Sequence, residues 1–381
     1  RYSVGITNPY LVLMVLVSSS VNLILFLFGV IFVRKLMGLE IIAFKSTEIM
    51  PIGSLQRLAL IGLFGLCVLI LVKYVKQLDQ IAIIVALTDS ITAANQARSN
   101  MGNSFAGDYH WYKLVMHDIG NFLTFTSFAI WLTRKSTFSF IAFIAAFSYS
   151  TIVAVMAIEK APFAWLLVGL FMVYFLVKRN GFIPFKKIII LLCIVLFILI
   201  LFYINFMGSN DIWSALTSVF SRAFSGSISP AYFYLEFFPE HHEYLWGSTF
   251  PNPGGLMPYI PYRYTIEVMN WIFPALSESG VVGSAPTVFW GEAYANFGPA
   301  GIPIVAFIMG TFVAFVSYLV SKIEINPISI GFSVWLILAF KDLSVTGFSG
   351  YFYSIYLIVL SFLLFALLSV RGRFMIRCKI Y

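Results

Sequence analysis

Apolar runs long enough to cross a bilayer recur along nearly the whole chain. A spanning helix needs about 20 mostly apolar residues, because in lipid every backbone N–H and C=O must be satisfied within the segment itself. Nine stretches qualify, at about 10–33, 58–75, 119–133, 138–157, 162–177, 188–206, 299–320, 328–345 and 351–369. The pattern therefore predicts an all-α integral membrane protein with about nine transmembrane helices, folded as a single polytopic domain over 1–381. A further run at 81–87 fades into Thr88, Asp89 and Ser90. It is too short to span and is expected as a helix lying at the interface. Polar residues collect in two long segments, about 76–118 and 207–298, which are expected to be external loops containing short helices.

Composition agrees with this reading and removes its rivals. The chain is 60% hydrophobic and 10% charged, with a mean hydropathy of +0.93. A soluble domain carries about 25% charged residues. A water-soluble globule, a disulfide scaffold and a disordered regulator are all excluded. Cys67 and Cys193 sit in apolar runs and Cys378 in a basic tail, a scatter that predicts neither a disulfide framework nor a metal cluster.

A net charge of +8 would ordinarily raise the question of nucleic acid, but the positions of the charges answer it. The segments 34–57, 134–137, 178–187, 321–327 and 370–381 hold fifteen of the 24 Lys and Arg residues in 57 positions, against nine in 161 positions on the other face. This is a positive-inside asymmetry. It assigns the first group of segments to the cytoplasm and leaves no case for nucleic-acid binding. Nine spans with an external start, and Arg1 in the first position, lead to the expectation of at least one further helix upstream. His110, His117, His241 and His242, and thirteen of the 16 acids, fall on the external face. Working chemistry is therefore expected outside, where nucleotides are absent. The chain also contains no G-x-x-x-x-G-K-[ST], G-x-G-x-x-G or D-x-D string.

The second long segment reads as ordered but irregular. Extended to Pro303, it holds ten of the 15 prolines, several of them clustered with glycines over 247–261, where fixed φ and tight turns alternate. It is also rich in aromatics, including Trp246, Trp271 and Trp290. Such rings suit the C–H faces of sugars; they equally suit an aromatic belt at the lipid headgroups. Further along, Gly291-Glu-Ala-Tyr-Ala-Asn-Phe-Gly-Pro-Ala-Gly301 leads into an apolar span. Gly298, Pro299, Gly301 and Pro303 are expected to break or start a helix. Glu292 and Asn296 stand four apart, on one helical face, which is expected to look into a cavity between helices. An ionisable group at membrane depth suggests function, with capping or pairing inside the bundle as the alternative.

Arg98, Arg222 and Arg263 are the external arginines besides Arg1, and Lys160 stands in a tight turn next to Glu159. A guanidinium binds phosphate bidentately and keeps its charge. These residues are candidates for holding a pyrophosphate, or else for salt bridges to nearby acids. His241 and His242 lie between Glu240 and Glu243. Either His could act as a base, a proton donor or a hydrogen-bonding brace of the loop; H-E-x-x-H is absent and no metal is expected.

The strings Ala231-Tyr-Phe-Tyr-Leu-Glu-Phe-Phe-Pro239, Gly247-Ser-Thr-Phe and Ala285-Pro-Thr-Val-Phe-Trp-Gly-Glu-Ala-Tyr-Ala-Asn-Phe-Gly298, set in this span arrangement, resemble the Wzy-type O-antigen polymerases, which polymerise oligosaccharide repeat units at bacterial inner membranes. The R-x₁₀-G spacing of some members is not present here: eleven residues after Arg98 stands Tyr109, and after Arg222, Phe233. The resemblance implies a metal-independent, cofactor-free glycosyltransferase of the cytoplasmic membrane with its active face periplasmic. Its substrate would be undecaprenyl-pyrophosphate-linked oligosaccharide, and a chain-length regulator is an implied partner. In that frame Arg98, Arg222, Arg263 and Lys160 would hold the pyrophosphate. Glu292, with His241 or Glu278 behind it, would activate the acceptor hydroxyl. Trp246, Trp271, Trp290, Tyr294 and Asn296 would contact sugar. An O-antigen ligase, or a transporter or flippase of lipid-linked oligosaccharide, is the alternative.

Overall fold

The computed structural model describes residues 8–38, 49–103, 109–206, 211–224, 226, 228–252, 255–275 and 283–370. Regular structure among them is helical throughout. In chain order the helices are α1 Pro9–Leu36, α2 Ser54–Lys76, α3 Ala82–Thr88, α4 Ile91–Asn103, α5 Tyr109–Lys113, α6 Gly120–Arg134, α7 Thr137–Val155 and α8 Lys160–Arg179. They continue with α9 Phe185–Phe206, α10 Ile212–Phe224, α11 Ser229–Phe237, α12 Tyr264–Ile272, α13 Phe289–Ser321, α14 Pro327–Lys341, α15 Ser349–Phe352 and α16 Ile355–Ser369.

Eight segments are long and apolar enough to cross a membrane: α1, α2, α7, α8, α9, α13, and the stretches Pro327–Ser344 and Ser349–Ser369. The ninth expected span, at 119–133, is not among them. Its helix α6 has only 15 residues. It is entered through a π-helical turn, Leu114–Ile119, that continues from α5. The expected short helix at 81–87 is present as α3.

The ends of the helices follow local chemistry. Asn8 accepts a hydrogen bond from Tyr10 N at 2.9 Å with Pro9 in the first turn, and Arg34 and Lys35 close α1 where its carbonyls are unpaired. Ser136 and Ser139 form a reciprocal cap on α7. Asn180 ends α8 in the left-handed region at φ 51°. The membrane-length helices are apolar around most of their circumference, and no residue in the apolar window of α9 is buried, although one side of it packs on α8.

Two compact units make up the chain, where the sequence pattern is read as one polytopic domain. The first draws on Arg1–Ile41, Phe220–Leu319 and Phe340–Ser354. In it α1 and α13 approach through glycine. A Cβ on Gly310 would strike the Phe26 carbonyl oxygen, and one on Gly29 would strike that of Phe307. Small residues at such crossings let helix backbones meet closely. Beside this contact lies an aromatic core of Tyr234, Phe237, Phe238, Trp290 and Tyr294 with Leu11 and Val15 of α1.

The second unit draws on Ile42–Val219, Val320–Ala339 and Ile355–Tyr381. Its centre is α6, packed by α7 and α8. Thr124 is buried there, with its hydroxyl 2.8 Å from Ser150 Oγ and 2.9 Å from the Ala146 carbonyl. Gly169 gives way to the Phe125 ring and Gly331 to Thr126. Trp335 Nε1 donates to Asp118 at 2.9 Å, and Gln56 Nε2 to the Leu367 carbonyl at 2.9 Å.

Candidate functional site

Within the first unit the polar groups converge on the N-terminal part of α13. This helix is interrupted at Gly298, which takes φ 66° and ψ −158°, and Pro299 and Pro303 follow. A left-handed φ is available to glycine at little steric cost, so the sequence dictates the break where it was expected. Ahead of it, Phe289 to Asn296 are all buried.

Glu292 is 0% exposed. Its carboxylate accepts the Ser349 hydroxyl at 2.5 Å and the Ser349 N–H at 3.1 Å, and Thr249 and the Phe348 N–H are further donors. Among the described residues no Lys, Arg or His pairs with it. Asn296, also 0% exposed, ties the same helix face to the loop opposite. Its Nδ2 donates to Thr249 Oγ1 and to the Glu292 carbonyl, both at 2.9 Å, and its Oδ1 accepts the Gly247 N–H at 2.9 Å. Leu245 N and Trp246 N complete the seam on the carbonyls of Ala295 and Asn296 at 3.0 Å. The expectation of a shared Glu292–Asn296 face is met. The expectation that it looks into a cavity is corrected: both side chains are 0% exposed, and residues 247–249 and 347–349 cover the face through their hydrogen bonds and close backbone contact.

Two tyrosines adjoin the carboxylate. A Cβ on Gly347 would collide with both Glu292 Oε2 and the Tyr264 hydroxyl, so both oxygens close on the glycine backbone and leave no room for a methyl between them. Tyr234 donates to the Ala285 carbonyl at 3.0 Å. Burial, and then the charge of Glu292, hold both phenols well above their ordinary pKa of 10. They stay neutral hydroxyls, with a proton to share in hydrogen bonds.

The other predicted residues distribute differently. Trp290 and Tyr294 are buried in the aromatic core, and Tyr294 donates to the Phe238 carbonyl at 3.2 Å. They present no ring face to solvent. Trp246 does, at 75% exposure. His241 packs against Trp271 with centroids 5.0 Å apart and the rings tilted by 45°. His242 lies 4.6 Å from the Tyr262 ring, and its Nδ1 is 2.7 Å from the Glu243 carbonyl. Among the described residues the contacts of the pair are with its own loop and the neighbouring aromatics, and none is with Glu292. The Pro-rich stretch is ordered by Asn252, whose Nδ2 donates to the carbonyls of Met257 and Tyr259 at 2.9 and 2.7 Å.

Arg222 and Arg263 belong to the first unit, are exposed, and among the described residues neither makes an ion pair. Arg98 belongs to the second unit and is engaged by Glu159 at 3.2 Å. Lys160 opens α8, but its side chain lies outside the described residues, as does Glu278. Among the described residues no three His, Cys, Asp or Glu side chains gather as a metal site. Thr249, Tyr264, Gly347 and Ser349 are the partners of Glu292 that sequence reasoning missed. The one signal was that Thr249 lies in the Gly247-Ser-Thr-Phe string singled out above.

This fold and site define the class: an α-helical, multi-pass membrane protein with a buried carboxylate at a broken helix. The chain matches no protein-family model, no curated protein and no solved structure.

Proposed function

We propose that this protein is a glycosyltransferase that polymerises undecaprenyl-pyrophosphate-linked oligosaccharide repeat units on the external face of the bacterial cytoplasmic membrane. The observation that carries the reading is Glu292, fully buried and held by neutral donors, on the helix against which the loop bearing exposed Trp246 is hydrogen-bonded. A carboxylate without a cation is suited to accept a proton, and an exposed indole is suited to stack on a sugar face. The resemblance to Wzy-type polymerases supplies the substrate class.

In the proposed reaction the oxygen of an acceptor hydroxyl attacks the anomeric carbon of the lipid-linked donor. The bond from that carbon to the pyrophosphate oxygen breaks, and the electron pair leaves with the lipid pyrophosphate. Glu292 takes the hydroxyl proton. Arg222 and Arg263 match the charge gathering on the leaving group. Glu292 has no exposed surface, so substrate reaches it only after the backbone covering it at 247–249 or 347–349 moves aside.

The direct test is purified protein in bilayer discs with lipid-linked repeat units, read on a gel. A ladder still attached to undecaprenyl pyrophosphate supports the proposal; unchanged monomer overturns it. One observation favours a second reading, transport of the same lipid-linked oligosaccharide: α13 is interrupted at Gly298 and carries a buried carboxylate, a combination found in transporters with discontinuous helices. Movement of intact monomer across sealed vesicles, with no ladder, would select it.

A further inference from the structure

The second unit contains a cavity of about 360 Å³ that takes no part in the chemistry above. Ligand pockets run from roughly 300 to 1,000 Å³, so the space is sufficient for a small ring. One wall is a face of α4: Ala93, Gln96, Ala97 and Asn100 line it, at the i, i+3, i+4, i+7 spacing that stacks side chains on a single helical face. The alanines make the hollow and the two amides flank it. Facing α4 is the chain that leaves α2, with Leu78, Asp79 and Gln80.

The wall is fixed from behind. Ala94, Ala97 and Met101 are buried, and Tyr74 of α2 donates to the Met101 carbonyl at 2.7 Å. The groups that line the hollow are, by contrast, uncommitted. Asp79, Gln80, Gln96 and Asn100 make no side-chain hydrogen bond or ion pair among the described residues, although Gln77 nearby accepts the Tyr112 hydroxyl at 2.7 Å and Arg98, on the same helix, is paired with Glu159. No Lys, Arg or His lines the cavity among the described residues. A phosphate or carboxylate ligand would meet Asp79 without a compensating cation, and one carboxylate is too little for a divalent metal. Amides, which both donate and accept, together with one acceptor-only carboxylate over an aliphatic floor, match the vicinal hydroxyls and C–H face of a neutral sugar.

We propose that the α4 cavity is a saccharide-binding site for a neutral hexose or N-acetylhexosamine unit, with Gln96 and Asn100 bonding adjacent hydroxyls and Asp79 accepting from a vicinal pair. The site goes beyond the transferase reading: it uses neither Glu292 nor the arginines, and it holds whether or not the chain forms a glycosidic bond.

The test is saturation-transfer NMR on the full chain in discs of neutral phospholipid. The probes are the methyl glycosides of a neutral hexose, an N-acetylhexosamine and a hexuronic acid. A Trp246→Ala background removes any signal from stacking on that exposed ring. The expected result is transfer to a neutral glycoside and less to the uronate. Gln96→Leu with Asn100→Leu should weaken neutral binding about tenfold or more, since the sugar hydroxyls lose their partners. Ala93→Leu, which fills the hollow while keeping every polar group, should do the same. Gln96 and Asn100 are exposed, so an unchanged melting temperature accompanies the loss. Absence of transfer to both neutral glycosides, or equal transfer in the wild-type and substituted cavities, overturns the proposal. Because no polymer is formed or measured, failure of this site and failure of the transferase reading give different results.

Discussion

At the scale of single residues, Glu292 separates chemistry from architecture. Glu292→Gln keeps the size of the side chain and one oxygen that can accept from Ser349, but its amide nitrogen cannot accept from the remaining donors, and the proton acceptor is removed. If the carboxylate only braces the loops, the variant melts lower and accumulates less, while turnover per mole of folded protein stays that of the wild type. We expect turnover reduced on the order of 10²–10⁴-fold, the usual worth of a positioned acid–base group, measured as ladder formation per mole of folded protein. Gly347→Ala tests the enclosure from the other side. The added methyl would collide with Glu292 Oε2 and the Tyr264 hydroxyl, so those groups or the glycine backbone must shift. Overpacking of this kind costs about 1–3 kcal/mol. The expected outcome is a lower melting temperature together with lost activity, whereas Gly350→Ala nearby, where a Cβ meets nothing within 4 Å, should leave both unchanged.

At the scale of helices, the sequence disclosed most of what repeats and little of what folds back. Apolar runs located eight segments long and apolar enough to span, and the Gly298-Pro299 step located the break in α13. The shared face of Glu292 and Asn296 was also legible, because i, i+4 spacing is a local property. The partners of that face were not: Thr249 and Ser349 are 43 and 57 residues from Glu292, and no periodicity links a Pro-rich loop to a turn before the last span. The π turn ahead of α6 was invisible for a related reason, since its composition is that of an ordinary helical turn. The same local logic gives a prediction for α1 and α13. Gly310→Leu would drive a side chain against the Phe26 carbonyl, a backbone atom that cannot rotate away. We expect several degrees of lost thermal stability in detergent. Gly62→Leu on α2, where a Cβ meets nothing within 4 Å, should cost little by the same melt.

At the scale of the whole molecule, the deciding property is which residues share a side of the membrane, and α9 makes it measurable. Its 22 residues extend about 33 Å at 1.5 Å per residue, enough for one crossing of a hydrocarbon core about 30 Å thick. None of its apolar window is buried, so it is not a core helix of a soluble fold. Lys186 and Lys187 stand at its start and Trp213 beyond its end. One crossing would place them on opposite sides, and the proposed topology, drawn from the positive-inside asymmetry, has the lysines cytoplasmic. Single-cysteine labelling reads this directly once the native cysteines are replaced. Trp246→Cys, on an exposed side chain, should react with an impermeant maleimide in intact spheroplasts. Lys186→Cys should react only after permeabilisation. Reversal of the pair would put Glu292, Arg222 and the aromatic loop where nucleotide sugars are available and lipid-linked repeat units are not, and the transferase reading would fall with it. Labelling of both in intact spheroplasts would instead mean that α9 does not cross, and the span order would have to be redrawn from α8 onward.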